Sequence, residues 1–145
     1  TLLVTHTIDS KHSKENEVVT HDGKRVEAVK VSALRDITGL EGVEVIFVDE
    51  GQFFEDLRAT VSEWHKMGKR VYVASLNADF NMQTFGQAHE LFPMVEKIKT
   101  LSAICFYCKD TAYHSKKTAR IANSTIIDVG GDEKYCAVCY KCWCT

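Results

Sequence analysis

Six cysteines lie in this chain, and none comes before position 105. They read Cys105-Phe106-Tyr107-Cys108, then Cys136-Ala137-Val138-Cys139-Tyr140-Lys141-Cys142-Trp143-Cys144. A C-x-x-C turn sets two thiolates on one side of a tight bend, and two such turns complete a tetrahedral shell with each sulfur about 2.3 Å from the metal. The spacing predicts a zinc-stapled unit at the C-terminal end. Disulfides are the competing reading. Clustering at one end of a chain whose other part has no cysteine suits an intracellular metal site better than a secreted framework. Cys136/Cys139 and Cys139/Cys142 are overlapping knuckles, and spacing alone does not choose between them. The six histidines show no H-x-x-x-H pairing and read as core or surface residues.

A second constellation lies at Asp49-Glu50. It follows Val43-Glu44-Val45-Ile46-Phe47-Val48, a β-branched and aromatic run of strand character. An Asp at the end of a buried strand is the Walker B pattern, which places a carboxylate beside a magnesium–nucleotide complex. The adjacent Glu50 can take a proton from an attacking hydroxyl as general base. The bland alternative is a pair of solvated carboxylates at a loop start. Gly51-Gln52-Phe53-Phe54 follows, where aromatics can wall a flat ligand or simply enter the core. A Gly-rich G-x-x-x-x-G-K-[ST] phosphate loop is absent from these 145 residues.

These residues need elements to position them. Leu2–Thr5 reads as a buried strand and Val26–Val31 as a looser one. Ser32–Ile37 reads as a helical turn capped by Ser32. Phe54, Leu57, Val61 and Trp64 recur at one helical face, and Gly68 ends that helix. Arg70–Leu76 is a further apolar strand, so the order is strand, helix, strand, which requires a parallel pair. The ends of such strands share one edge, which brings Leu76-Asn77-Ala78-Asp79-Phe80 beside Asp49. Gly86–Leu91 reads as a short helix before Pro93. Ile98–Ile104 leads into the first knuckle, and Thr125–Val129 is a short strand.

The composition bounds the function classes. Apolar residues make up 45% and charged residues 26%, as in an ordered globular protein. A net charge of −2 gives no long-range attraction for nucleic acid. No apolar run reaches the roughly 18 residues of a membrane span, and no signal peptide opens the chain, so the cytoplasm is the expected compartment. The chain opens on Thr1 and apolar residues without an initiator Met, which reads as a cut N-terminus.

Taken in order, Val48-Asp49-Glu50-Gly51-Gln52-Phe53-Phe54, Leu76 to Phe80, Phe85-Gly86, the Cys105/Cys108 knuckle, Gly130-Gly131, Tyr135 and Cys139-x-x-Cys142 resemble the zinc-containing thymidine kinases of animals, poxviruses and bacteria. The likeness runs from Leu2 to about Cys142. It implies an α/β P-loop-type kinase core with a parallel sheet over residues 1–96 and a zinc-binding lasso subdomain over 97–145. It implies transfer of the γ-phosphoryl of MgATP to the 5′-hydroxyl of thymidine or deoxyuridine. In that family's terms Glu50 is the catalytic base and Asp49 the magnesium-associated acid. Asp9, Ser10 and Lys11, with Asp49, Glu50, Gly51 and Gln52, serve the nucleotide cofactor. Lys11 stands where the family has Arg, keeping the charge but losing the bidentate fork. Phe53, Leu76, Phe80, Phe85 and Ser115 surround the base. Ile126, Ile127, Asp128, Val129, Gly130 and Tyr135 belong to a lasso that holds thymidine largely through its backbone. The family rule selects Cys105, Cys108, Cys139 and Cys142 as zinc ligands. A homotetramer is also implied. The chain departs from the family at Asn77-Ala78-Asp79, usually Asp-Gly-Thr, and in the absent P-loop, without which it is expected to be inactive alone. The alternative is a non-catalytic zinc-ribbon or nucleoside-binding fragment.

Overall fold

The structure is a computed structural model and describes residues 1–8, 16–19, 22–117 and 135–145. It divides into two compact units, Thr1–Asn77 with Phe85–Pro93, and Ala78–Thr84 with Met94–Thr145.

The first unit is built on strands β1 (Leu2–His6), β2 (Glu17–Val19), β3 (Arg25–Glu27), β4 (Val29–Val31), β5 (Val45–Val48) and β6 (Arg70–Val73), with helix α1 (Leu57–Lys66) between the last two. β2 and β3 form an antiparallel pair, joined also by the Arg25–Glu17 ion pair. The others form one sheet in the order β4-β1-β5-β6, and every pairing is parallel. The parallel β5–α1–β6 unit expected from the sequence is therefore present. Its register aligns Val4 with Val48 and Val48 with Val73. Asp49, Ala74 and Thr5 are the next residues along three adjacent strands, so the chemistry-bearing ends share one edge.

Helix α1 covers one face of this sheet. Leu57, Val61 and Trp64 are buried with Val4, Ile46, Val48 and Phe54. Burying such side chains contributes about 1.5–3 kcal/mol each. On the opposite face Phe47 and Tyr72 stack with centroids 5.0 Å apart and remain partly exposed. They line a cavity of about 380 Å³ with Leu3, Val26 and Asp49.

Several boundaries differ from the sequence reading. The helix starts at Leu57, because Phe54 ends a separate 3₁₀ turn over Gly51–Phe53. Ser32 does not cap the next turn. A 3₁₀ turn spans Leu34–Asp36 with Ala33 at its cap position. Its free N–H groups go to a residue distant in sequence: the Asp56 carboxylate accepts from Leu34 N at 3.2 Å and Arg35 N at 2.9 Å. β6 ends at Val73 rather than Leu76, since the next residues turn toward Gln52. The expected helix at Gly86–Leu91 is a 3₁₀ segment, Ala88–Met94, that contains Pro93.

The second unit carries strands β7 (Ala103–Ile104), β8 (Thr111–Ala112), β9 (His114–Lys117) and β10 (Tyr135–Val138), then a single helical turn α2 (Tyr140–Trp143). β7–β8 and β9–β10 are antiparallel pairs. Among the described residues its buried core is Cys105, Ala112 and Val138, with Cys136, Ala137, Cys139, Cys142 and Trp143 packed around them. The expected strand at Thr125–Val129 lies outside the described residues.

Candidate functional site

In the first unit, the turn after β5 places the two acids. Asp49 N donates to Val4 O at 2.8 Å and Gly51 N to Ala74 O at 2.9 Å, so the backbone is pinned to both neighbouring strands. Between these anchors Glu50 adopts a left-handed conformation, φ 54° and ψ 40°. That conformation costs a non-glycine residue roughly 1–2 kcal/mol. Part of the cost is offset by Asp49, whose Oδ1 accepts from Glu50 N at 3.0 Å. A strained acid at the carboxyl edge of a parallel sheet is where ligand chemistry is expected in this class of fold.

Thr5 stands on the strand beside Asp49. It is fully buried, and among the described residues its Oγ1 is the one buried side-chain nitrogen or oxygen without a hydrogen-bond partner.

Phe53 and Phe85 meet edge to face at 5.5 Å. His6 lies 5.9 Å from Phe53 and 4.8 Å from Phe54. Its tautomer follows from its partners. Ile8 N donates to Nδ1 at 3.0 Å, so Nε2 carries the proton and donates to Ser32 O at 3.2 Å. Burial lowers the imidazole pKa below 6.5, against opposing contributions from the Ser32 carbonyl and Asp56. The unfolded chain therefore binds more protons below about pH 6.5, and stability falls as pH drops through that value toward the folded pKa. Acid titration of His6→Gln followed by circular dichroism should show a shallower loss of stability below pH 6.5 than the parent protein. An unchanged slope would remove His6 as the source.

Gly86 has φ +61°, and a Cβ there would overlap the Gln52 carbonyl, lying 2.8 Å from its carbon and 2.9 Å from Gln52 Cα. Gly86→Ala combines left-handed strain with overpacking against fixed backbone, so thermal denaturation should show a loss of about 2–4 kcal/mol. A loss below about 1 kcal/mol would mean that this contact relaxes freely.

In the second unit, Cys105, Cys108, Cys139 and Cys142 converge, with all four sulfurs within 4.8 Å of one another. A tetrahedron with 2.3 Å metal–sulfur bonds has edges of about 3.8 Å, so the set fits one metal ion. Cys108 and Cys139 sulfurs are 3.5 Å apart, well beyond the roughly 2.05 Å of a disulfide. Local structure explains the selection. Cys105 N bonds Asp110 O at 2.7 Å and Lys109 N bonds Cys105 O at 3.0 Å, closing the first knuckle with Lys109 at φ 64°. Cys139 caps α2, so Cys142 sits on the same side one turn later. Cys136 lies inside β10 and its thiol is directed to Lys116 O at 3.6 Å.

Two of these thiols are displaced in opposite directions. Backbone donation, chiefly from Cys108 N–H, draws Cys105 down to about 6. Cys142 is pushed up to about 12, first by Cys139 and then by Cys108. Such opposition is expected of acids crowded together without a cation, and a divalent ion lets all four ionise.

Phe80 and Tyr135 face each other at 6.1 Å in this unit. Trp143 Nε1 donates to Phe80 O at 3.0 Å and ties the 78–84 segment to the C-terminal turn. Ser115 pairs with Ala137 across β9 and β10. Leu76, in the first unit, is half-exposed, while its N–H is bound by Gln52. Asp9, Ser10, Lys11 and residues 126–130 lie outside the described residues. The sequence reading missed the roles of Ser75, Gln52 and Trp143. Their partners lie 23, 24 and 63 residues away, and no local spacing signals such contacts.

The family model for thymidine kinase matches residues 1–143. The chain belongs to the thymidine kinase family. It is thus a kinase, a phosphotransferase with an α/β core and a parallel sheet. It is 36% identical over 147 residues to the thymidine kinase of fowlpox virus (strain NVSL), covering 98% of this chain and 79% of the relative. It is 38% identical over 144 residues to that of myxoma virus (strain Uriarra), with 98% and 78% covered. It is 34% identical over 145 residues to the cytosolic thymidine kinase of Homo sapiens, with 98% and 59% covered. Among the described residues no helix is long and apolar enough to cross a membrane.

Proposed function

We infer that this thymidine kinase transfers the γ-phosphoryl of MgATP to the 5′-hydroxyl of thymidine or deoxyuridine, as part of nucleoside salvage in the cytoplasm. The observation that carries the mechanism is the strained Asp49-Glu50 turn at the carboxyl edge of the sheet. Glu50 accepts the 5′-hydroxyl proton while that oxygen attacks the γ-phosphorus and the bond to the β–γ bridging oxygen breaks, with ADP leaving. Asp49 would hold the Mg²⁺ ion, which would supply positive charge against the phosphates. Phosphoryl transfer leaves the protein little covalent chemistry to do, so positioning and charge stabilisation provide most of the rate.

The remaining site residues keep the roles suggested by the resemblance. Asp9, Ser10, Lys11, Gly51 and Gln52 serve the nucleotide end. Phe53, Leu76 and Phe85 in the first unit, and Phe80, Ser115 and Tyr135 in the second, contact the nucleoside. Residues 126–130 close over it through their backbone. Residues 1–96 act as the kinase core and 97–145 as the lasso subdomain. Zinc, held by Cys105, Cys108, Cys139 and Cys142, is structural, and the active form is a homotetramer that needs neither nucleic acid nor membrane.

Incubating the intact protein with γ-labelled ATP, Mg²⁺ and individual nucleosides tests the reading. Label should pass to thymidine and deoxyuridine. Transfer to purine nucleosides instead, or to none, would overturn it. Cys136→Ser should leave the metal content at one ion per chain by elemental analysis. A loss of metal would show that Cys136 belongs to the shell.

A further inference from the structure

We propose that Gln52 is a positioning residue for Glu50. The inference rests on the reading of Glu50 as the base and adds the part that aims it. Gln52 is 3% exposed, so both ends of its amide need partners inside the protein. Its Oε1 accepts from Leu76 N at 3.1 Å and lies 3.2 Å from Ser75 Oγ. A backbone N–H can only donate, so the oxygen must face Leu76 and the nitrogen must face the other way. That nitrogen donates to Glu50 Oε2. The orientation of the amide is therefore set by the backbone of the segment after β6, independently of Glu50.

The backbone of Gln52 is fixed as firmly as its side chain. On one side Gly51 packs so closely that a Cβ would lie 2.7 Å from Val73 Cγ1 and 3.2 Å from Ala74 O. On the other, Gly86 lies against the Gln52 carbonyl. Glu50 itself has a long side chain on a left-handed residue at a turn. Holding such a side chain in one rotamer costs entropy, and the fixed donor at Oε2 meets part of that cost before substrate arrives. It also favours the ionised form, which is the form able to take a proton. With both ends of its amide engaged internally, the Gln52 side chain acts through Glu50.

Steady-state kinetics of the intact protein decide this. Gln52→Met keeps the buried length but neither hydrogen bond. It should lower kcat about 10–100-fold, the usual effect of losing a residue that orients a reacting group. KM for thymidine should change less than about twofold, and the acidic limb of kcat should move to higher pH. In the Glu50→Gln background the same change should cost less than about twofold, because the two residues act as a unit. A purely structural role would leave the pH limb in place and give the same loss in both backgrounds. If Gln52→Met does not fold, Gln52→Glu carries the test. It keeps the acceptor for Leu76 N–H but sets a second acid against Glu50, so the acidic limb should move up further. An inactive Glu50→Gln with unchanged kcat and pH limb in the Gln52 variants would overturn the positioning role and leave the base in place. A fully active Glu50→Gln would remove the base, and Gln52 with it.

Discussion

Glu50→Gln should lower kcat by about 10²–10⁴, the usual contribution of a general base, while thymidine binding is kept. The amide has the carboxylate's shape, and it leaves the left-handed turn and the bond from Glu50 N to Asp49 Oδ1 undisturbed. It cannot take a proton from the nucleoside hydroxyl. Titration calorimetry with thymidine and a phosphoryl-transfer assay on the same preparation separate binding from turnover. Near-normal turnover would exclude Glu50 from proton transfer. A companion variant separates chemistry from folding. Glu50→Gly relieves the φ of 54°, so it should be more stable than the parent by about 1 kcal/mol and still be inactive. A destabilised Glu50→Gly would mean that the acid side chain supports the fold, and the inactivity would need another cause.

Removing the metal should unfold the second unit. Its described apolar core amounts to Cys105, Ala112 and Val138 with a rim of partly buried neighbours, and β7 and β8 have two residues each. Pieces this small need a staple, and structural zinc supplies roughly 10–16 kcal/mol in comparable peptides. Cys105→Ser is the most severe single change, since Cys105 is fully buried and anchors the first knuckle through Asp110. Hydrogen exchange is the direct measurement. Amides of 103–117 and 135–144 should lose protection on chelation or in Cys105→Ser, while β1, β5 and β6 keep theirs. Retained protection at 103–117 without metal would show that the hairpins stand on their own packing.

Much of this was legible in the sequence, because the signals were local. The run Val45–Val48 before Asp49-Glu50, the spacing of Leu57, Val61 and Trp64, and the two C-x-x-C turns each express their geometry within a few residues. Strand end, helix face and metal knuckle follow from periods and turns that the neighbouring chain alone enforces. The α/β class and the parallel pairing of β5 with β6 follow from the same local order. What the sequence left open depended on contacts between distant residues. Spacing alone did not choose between Cys136 and Cys142, since both lie three residues from Cys139; the family resemblance chose Cys142, and the fold gathers its sulfur with those of Cys105, Cys108 and Cys139 while the Cys136 thiol turns to Lys116 O. The sequence assigned the cap of the Leu34 turn to Ser32, whereas Asp56 reaches it from 22 residues away. It read Gln52 as one more residue at the nucleotide end. Only the folded chain brings Leu76 N–H to that amide and thereby fixes which end meets Glu50, because a hydrogen bond depends on distance in space and not on separation along the chain.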